Sequence, residues 1–438
     1  MRIGLLAMSG LRAHDPELLR RGLTLPGLLE RGKQVAALPS LGLLSIAATT
    51  PPGHELVYAE AQAGEIPPEI EGCDLVAIST LSAQAFEAYS AARRLRERGA
   101  RVALGGLHAT ARPEEAREHA DWVVVGEGEH VWPEIVRLAE RGGPGAILRA
   151  DDFGAVDVAT LPVPRYDLLG HRAYGRYTVQ TVRGCPWRCD FCASTVMLRR
   201  PYRKRPIEHV VRDAQAILRH APDAFLELAD DNTFVDPEWG LRLCRALEPL
   251  GVRWFTETDL SIADHPELLR ALARSGCRQV LIGLESPDRT GLEGIELRSD
   301  FKARRAAGAA DAVRRIQEHG VSVNGCFVLG LDGHDQSVFP RILELAEDIG
   351  LYDVQVTVMT PFPGTPLCER LQREGRILHP GRWELCTLFD VNFRPSGMTP
   401  DELRAGLLWL CDRLYDGKRQ ARRREPFKRL RAARVGAA

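Results

Sequence analysis

Along this chain, short apolar runs alternate with longer stretches whose apolar positions recur every three or four residues. The runs Arg2–Ala7, Glu55–Ala59, Asp74–Ser79, Arg101–Leu104 and Trp122–Val125 predict strands. Between them, Leu41–Thr49, Ala83–Arg98 and Glu129–Glu140 predict helices. In the second of these, Ala85, Phe86, Tyr89, Ala92 and Leu95 share one helical face. Such alternation predicts a doubly wound parallel sheet with helices on both sides. After the linker Leu161-Pro162-Val163-Pro164-Arg165-Tyr166 the alternation resumes. Strands are expected near Thr178–Val182, Ala224–Leu228, Arg253–Thr258, Gln279–Leu284, Val321–Leu329 and Val354–Thr360, with helices such as Ile207–His220, Pro266–Ser275 and Ala306–His319. Six strand–helix units are too few for a closed eight-unit barrel. From about residue 380, Phe389-Asp390-Val391-Asn392-Phe393 and the helical spacing of Leu403–Tyr415 predict a small cap. The α/β chain thus divides into a first domain (1–150), a linker (151–172), a second domain (173–380) and a helical cap with a tail (381–438).

Composition narrows the class. At 438 residues and 45% hydrophobic content, the chain can build more than one core. No apolar run approaches the ~18 residues that a membrane helix needs. The strand-like start, Met1 to Met8, lacks the layout of a signal peptide, so a cytoplasmic setting is expected. Seven of the ten cysteines stand singly (Cys73, Cys244, Cys277, Cys326, Cys368, Cys386, Cys411), which suits reduced thiols in a core. The net charge is −1, yet Lys418 to Ala438 carries nine basic residues and the single acid Glu425. Such an end can grip RNA or an anionic membrane; the bland expectation is a solvated, partly helical tail.

The remaining three cysteines carry the chemistry. Cys185, Cys189 and Cys192 lie in Arg183-Gly184-Cys185-Pro186-Trp187-Arg188-Cys189-Asp190-Phe191-Cys192, on the loop leaving a predicted strand. Three thiolates can hold three irons of a [4Fe–4S] cluster, whereas clusters that only carry electrons normally have four cysteine ligands. With no fourth cysteine nearby, one iron is left open to a small ligand. The competing reading is a structural zinc site or unrelated buried thiols, but zinc sites usually show two separated Cys/His pairs, and a second pair is missing.

This C-x-x-x-C-x-x-C run, with Phe191 before the last cysteine, resembles the signature of radical S-adenosylmethionine (SAM) enzymes. The resemblance implies a six-unit open barrel with the cluster at its top. SAM would chelate the open iron, and its reductive cleavage would give a 5′-deoxyadenosyl radical. The strand-end residues Asp230, Asp231, Glu257, Glu285, Ser286 and Thr360 are then expected around SAM, together with Phe191. Asn232, Asp259 and Asn324 also fall at or in these strands. Ala229-Asp230-Asp231 stands where the family has Gly-Gly-Glu. The basic stretch Arg199-Arg200-Pro201-Tyr202-Arg203-Lys204-Arg205 offers cations for an anionic group of SAM, cobalamin or substrate, and reads equally as a solvated approach to the next helix.

Ahead of this motif, three loops fall at the carboxyl ends of the first domain's strands, where open α/β sheets bind ligands. They are Ser79-Thr80-Leu81-Ser82, Gly105-Gly106-Leu107-His108-Ala109-Thr110 and Gly126-Glu127-Gly128-Glu129. With Pro39-Ser40-Leu41-Gly42-Leu43-Leu44 they resemble the cobalamin-binding domain that precedes many radical SAM barrels. That resemblance implies cobalamin contacts at Ser79, Thr80, Ser82, Gly105, Gly106, His108, Gly126, Glu127, Gly128 and Glu129. The D-x-H-x-x-G element that supplies a cobalt ligand in some relatives is absent, since His14 precedes Asp15. A lower histidine ligand is therefore not implied, and His108 is read as a turn or hydrogen-bonding residue.

The implied function is cobalamin-dependent methylation of an unactivated carbon, on a small-molecule or peptide substrate. An external electron donor such as flavodoxin or ferredoxin is implied as a partner. The alternative is a non-methylating radical SAM enzyme that cyclises, couples or rearranges its substrate. Methylthio transfer to RNA would call for a second cysteine set in the first domain, where Cys73 stands alone, so a nucleic-acid partner is not expected. An electron carrier or redox sensor without catalysis fits poorly with an open iron.

Overall fold

The computed structural model describes residues 1–8, 10, 13–21, 38–61, 64–172, 174–194 and 201–435. Alternating burial in the first strand fixes the architecture of the first domain. In β1 (Arg2–Met8), Ile3, Leu5 and Ala7 enter one core while Leu6 and Met8 enter another. Both faces of the sheet are therefore covered, as a parallel sheet requires. With β2 (Glu55–Ala61), β3 (Leu75–Ser79), β4 (Arg101–Gly105), β5 (Trp122–Val125) and β6 (Ala146–Arg149), the order is β2-β1-β3-β4-β5-β6, every pair parallel. The pattern missed β6 because this edge strand is only half-buried along its length. It also missed the short helices Leu107–Ala111 and Pro113–Arg117, so the segment read as a Gly-Gly loop turns helical one residue after Gly106.

The second sheet contains β7 (Tyr177–Val179), followed by a small antiparallel pair, β8 (Val182–Arg183) with β9 (Arg203–Lys204). Then come β10 (Phe225–Leu228), β11 (Arg253–Thr258), β12 (Cys277–Glu285), β13 (Ser322–Leu329) and β14 (Asp353–Val358). The order β14-β13-β12-β11-β10-β7 is fully parallel and open. The single strand expected over Thr178–Val182 is broken at Gln180-Thr181. There the buried Asp230 carboxylate takes the amides of Thr181 and Val182 at 2.8 and 3.0 Å, hydrogen bonds that would otherwise extend the strand. One continuous core runs from Leu5 and Ala77 through Val179 and Leu226 to Leu410, so the two sheets and the cap share apolar packing.

The C-terminal end departs from a solvated tail. Helix Pro400–Leu414 opens with a Thr399–Glu402 capping box, and Gly417–Val435 follows as a helix docked on the barrel. Arg423 is buried and donates to the Leu351 and Leu414 carbonyls at 2.8 and 3.3 Å. Arg419 and Arg422 share Glu347, Arg424 bonds to Asp353, and Phe427 packs edge-on against Tyr352. Much of the charge run is thus spent on the protein itself. No helix among the described residues is long and apolar enough to cross a membrane.

Part of the basic stretch ahead of helix Ile207–His220 is likewise internal. Arg199 and Arg200 lie outside the described residues. Lys204 pairs with Asp236, and buried Arg205 donates to Asp213 at 2.6 Å and to the Gln180 carbonyl at 3.0 Å. Removing one partner of such a buried pair strands a charge. We expect Asp213→Ala to lower the barrel's unfolding free energy by about 3–5 kcal/mol in chemical denaturation; a loss under about 1 kcal/mol would show that the pair does not hold this corner.

Candidate active site: two cavities with a common wall

Cys185, Cys189 and Cys192 face a single cavity of ≈ 360 Å³ at the carboxyl end of the barrel strands. The loop bearing them is fixed from several sides. Asp230 holds Thr181, Val182 and the Thr233 hydroxyl, pinning the approach to the loop. Trp187 stacks on Phe301 with centroids 4.0 Å apart and planes at 13°. Its indole donates to Asp259 at 3.0 Å, and Asn232 donates to the same carboxylate at 2.8 Å. The Arg188 amide donates to Glu296 at 3.0 Å, the Asp190 amide to the Ile295 carbonyl at 2.8 Å, and the Leu297 amide to the Arg188 carbonyl at 2.9 Å. A loop without regular structure is thereby made rigid.

The three thiols fit a thiolate-bound iron–sulfur cluster. Among the described residues, no three His, Cys, Asp or Glu side chains gather tightly enough for a single metal ion. The sulfur ligands instead surround a space. Burial pushes the Cys185 thiol up to about 12, aided by Cys192 and Asp231, and raises Cys189 as well. Thiolates in such a place need a bound cation to stay ionised, which the irons of a cluster would supply.

Opposite the cysteines, β12 ends in a strained turn. Glu285 has φ = 63°, beside a register shift between Gly283 and Glu285. Its carboxylate accepts from Lys302 at 2.6 Å, and Lys302 also donates to the Gly283 carbonyl at 3.0 Å. A Cβ on Gly283 would stand 2.2 Å from Glu285 Oε1 and 2.8 Å from Lys302 Nζ, so a side chain there would displace this pair. Burial opposes the charge on Lys302, but Glu285 and Cys189 outweigh it and raise its pKa.

Phe191, Asp231, Glu257, Glu285 and Thr360 line this cavity. Two expected SAM contacts do not. Asp230 is 6% exposed, with its carboxylate turned onto Thr181, Val182 and Thr233, and burial lifts it to about 6. Ser286 lies just beyond the cavity wall, where its hydroxyl meets His334 Nε2 at 3.0 Å.

The second cavity, ≈ 350 Å³, opens at the carboxyl ends of β3, β4 and β5. Ser79, Gly105, Gly106 and the run from Gly126 to Glu129 line it, with Gly42 and Leu43 on one side and Trp132 beneath. At Gly106 (φ = 96°) a Cβ would stand 2.6 Å from the Thr80 carbonyl oxygen, so glycine is needed where these loops cross.

Three expected cobalamin contacts turn away from this cavity. The Thr80 hydroxyl donates to the Leu81 carbonyl at 2.9 Å. Ser82 and Tyr89 hold the two ring nitrogens of His108 at 3.1 and 3.0 Å. His108 is fully buried, and burial pulls its pKa down to about 4, leaving it neutral. Its ring lies 5.7 Å from that of Trp383, whose indole donates to Glu115 at 3.0 Å. This cluster joins the cap to the first domain. Among the described residues lining the second cavity, none is a histidine.

Pairings between distant residues connect the two sites. Arg183, two residues before Cys185, donates to Glu127 at 2.6 Å and to Glu129 at 2.7 Å across the domains. Arg203 adds a bond to Glu127 at 2.7 Å. Burial works against the Glu127 charge, but Arg203 and Arg183 hold its carboxyl below the usual range. Ser194 and Asp231 line both cavities, with the Ser194 hydroxyl bonded to the Asp231 carboxylate. The two sites therefore share a wall. Neither Arg183 nor Lys302 announces itself in the chain, because their partners lie 56 and 17 residues away.

Comparisons with known proteins agree with this architecture. The family model described as the Radical SAM superfamily matches residues 179–377, and that described as the B12 binding domain matches residues 33–136. An uncharacterized methyltransferase of Synechocystis sp. is 30% identical over 381 residues, covering 84% of this chain and 69% of the relative. The bacteriochlorophyllide d C-12(1)-methyltransferase of Chlorobaculum tepidum is 25% identical over 383 residues, covering 86% of this chain and 82% of the relative. The fold resembles that of the cobalamin-dependent SAM radical enzyme OxsB solved with aqua-cobalamin bound (TM-score 0.68, 14% identity, 92% of this chain, 66% of that one). It also resembles the radical SAM methyltransferase TsrM from Kitasatospora setae solved with cobalamin and a [4Fe–4S] cluster (TM-score 0.62, 15% identity, 96% and 90%). The chain belongs to the radical SAM superfamily, in the group of enzymes that carry a cobalamin-binding domain ahead of the barrel.

Glu257 provides a test of the barrel's interior. Its side chain lines the cysteine cavity and is exposed to that space. Desolvation, with Glu227 and Asp231 adding repulsion, pushes it up to about 8 from 4.5. The unfolded chain gives up this proton first, so the group costs stability as pH rises from about 4.5 to 8. Thermal midpoints of wild type and Glu257→Gln should therefore diverge across that window, the variant becoming relatively more stable. Parallel profiles would show that the carboxyl is ordinarily solvated.

Proposed function

We propose that this enzyme transfers a methyl group to an unactivated carbon of a small-molecule substrate held between the two cavities. When bound, the iron–sulfur cluster with SAM supplies a radical that removes a substrate hydrogen, and cobalamin supplies the methyl group. The single observation that carries the reading is the common wall of Ser194 and Asp231, which lets two cofactor sites address one reacting carbon.

The chain's own groups then have distinct tasks. Cys185, Cys189 and Cys192 would hold the cluster. The Glu285–Lys302 pair presents a fixed cation and anion toward SAM's zwitterionic end, and Phe191, Asp231, Glu257 and Thr360 border the rest. Ser79, Gly105, Gly106, Gly126 and Gly128 allow backbone to approach a flat corrin, with Leu43 and Trp132 adding apolar surface. Glu127 and Glu129 are occupied by Arg183, so they shape the loop rather than reach the cofactor. Met359, Phe362 and Leu388 close the cysteine cavity with apolar surface, which keeps water from a reactive intermediate.

The relatives' names specify different acceptors, bacteriochlorophyllide d and hopanoids among them. Ten free cysteines and an oxygen-sensitive cluster support a reducing, cytoplasmic setting.

Anaerobic protein reconstituted with iron, sulfide and cobalamin is expected to form both 5′-deoxyadenosine and S-adenosylhomocysteine from SAM. Cys185→Ala, Cys189→Ala and Cys192→Ala should each lose 5′-deoxyadenosine formation by at least about a thousandfold. Retained cleavage in any of them would contradict the cluster assignment. 5′-Deoxyadenosine without S-adenosylhomocysteine would instead favour non-methylating radical chemistry.

A further inference from the structure

The two cavities account for the inner side of the cysteine loop, and its outer side carries a different surface. Leu297 is 53% exposed, more than the exposed apolar side chains Leu81 at 38%, Phe86 at 44% and Leu430 at 42%. Its amide donates to the Arg188 carbonyl at 2.9 Å, and the next residue back, Glu296, pairs in an antiparallel bridge with Cys189. From exposed Leu297 to Cys189 the path is therefore one hydrogen bond and one peptide unit. Arg188 and Arg298 flank Leu297 and are themselves exposed. Among the described residues, neither guanidinium has an acid within ion-pair distance. The acids of this segment are already engaged: Glu293 pairs with Arg289, Asp288 with Arg341, and Glu296 takes the amides of Arg188, Arg298 and Ser299. An exposed apolar residue between two unpaired cations, on backbone locked by those bonds, has the composition of a recognition patch.

We propose that Arg188, Leu297 and Arg298 form the docking site for an acidic one-electron carrier protein that reduces the cluster. The inference rests on the radical SAM reading above. Electron transfer weakens steeply with distance, so a carrier must settle close to the ligand loop. The inner approach opens onto the cavity that the cofactors and substrate would fill. The outer patch offers a short route to Cys189 and a charge that attracts an acidic partner. The step moves one electron and no atoms: the carrier is oxidised by one electron and the cluster is reduced by one. The paired arginines of the C-terminal helix do not offer the same site, since Arg419, Arg422, Arg423 and Arg424 are committed to Glu347, backbone carbonyls and Asp353.

The test compares two reductants on the loaded enzyme: reduced flavodoxin, an acidic flavoprotein, and dithionite. In the Arg188→Glu/Arg298→Glu variant, flavodoxin-driven 5′-deoxyadenosine formation should fall at least about tenfold at low salt. Flavodoxin affinity measured by calorimetry should fall with it, and both losses should shrink as ionic strength rises. The dithionite-driven rate should be unchanged. A Lys428→Glu/Arg431→Glu variant, with the same change in net charge, should behave as wild type. Equal losses with both reductants, or unchanged flavodoxin binding, would overturn the docking site. Wild-type enzyme that fails to cleave SAM even with dithionite would overturn the underlying radical SAM reading instead, and the patch with it.

Discussion

The Arg183 guanidinium, gripped by Glu127 and Glu129, is the contact on which the two-cavity arrangement depends. It reaches from the approach to the cysteine loop to the Gly126–Glu129 turn of the first domain, with side-chain exposures of 11%, 4% and 7% for the three residues. Two charge-assisted bonds in a buried setting fix direction as well as distance. Coupling energies of buried pairs vary widely, so the contribution here is better seen as geometric than as a large stability gain. The apolar core shared by the two sheets holds the domains together, and this pair adds a polar fix at the point where the two cavities meet.

A second constraint works within the barrel. Asp230 ends β7 early by capturing the amides of Thr181 and Val182, which turns the chain toward the cysteines. Gly283 and the left-handed Glu285 do the corresponding work across the cavity, leaving room for the Lys302 pair. These positions are strained or costly on their own, and they concentrate where the site is built. The result is a pair of rigid half-sites meeting at Ser194 and Asp231.

Much of the fold is legible in the sequence because hydrophobic periodicity reports local burial. The strand over Trp122–Val125 and the helix over Ile207–His220 match the residues that form them. The cysteine triad is equally legible, since its spacing is local. What periodicity misses is long-range pairing of polar groups. Asp230 is at a strand end, where site residues belong, yet its hydrogen bonds turn it into a brace. Ser82 and His108 sit on the expected loops but face Tyr89 and the Trp383 side of the domain. Conversely, Arg183 belongs to the most conspicuous motif in the chain, and its partners are visible only after folding. The basic tail looked solvated because its receiving acids, Glu347 and Asp353, are more than sixty residues upstream.

The central claim is that the cobalamin and cluster sites open onto each other across one wall. Electron paramagnetic resonance of the anaerobic enzyme, loaded with cob(II)alamin and a reduced cluster, addresses it directly. Spin–spin splitting or relaxation enhancement between cobalt and cluster is the expected result. Two independent, uncoupled signals with both centres fully occupied would contradict the shared wall.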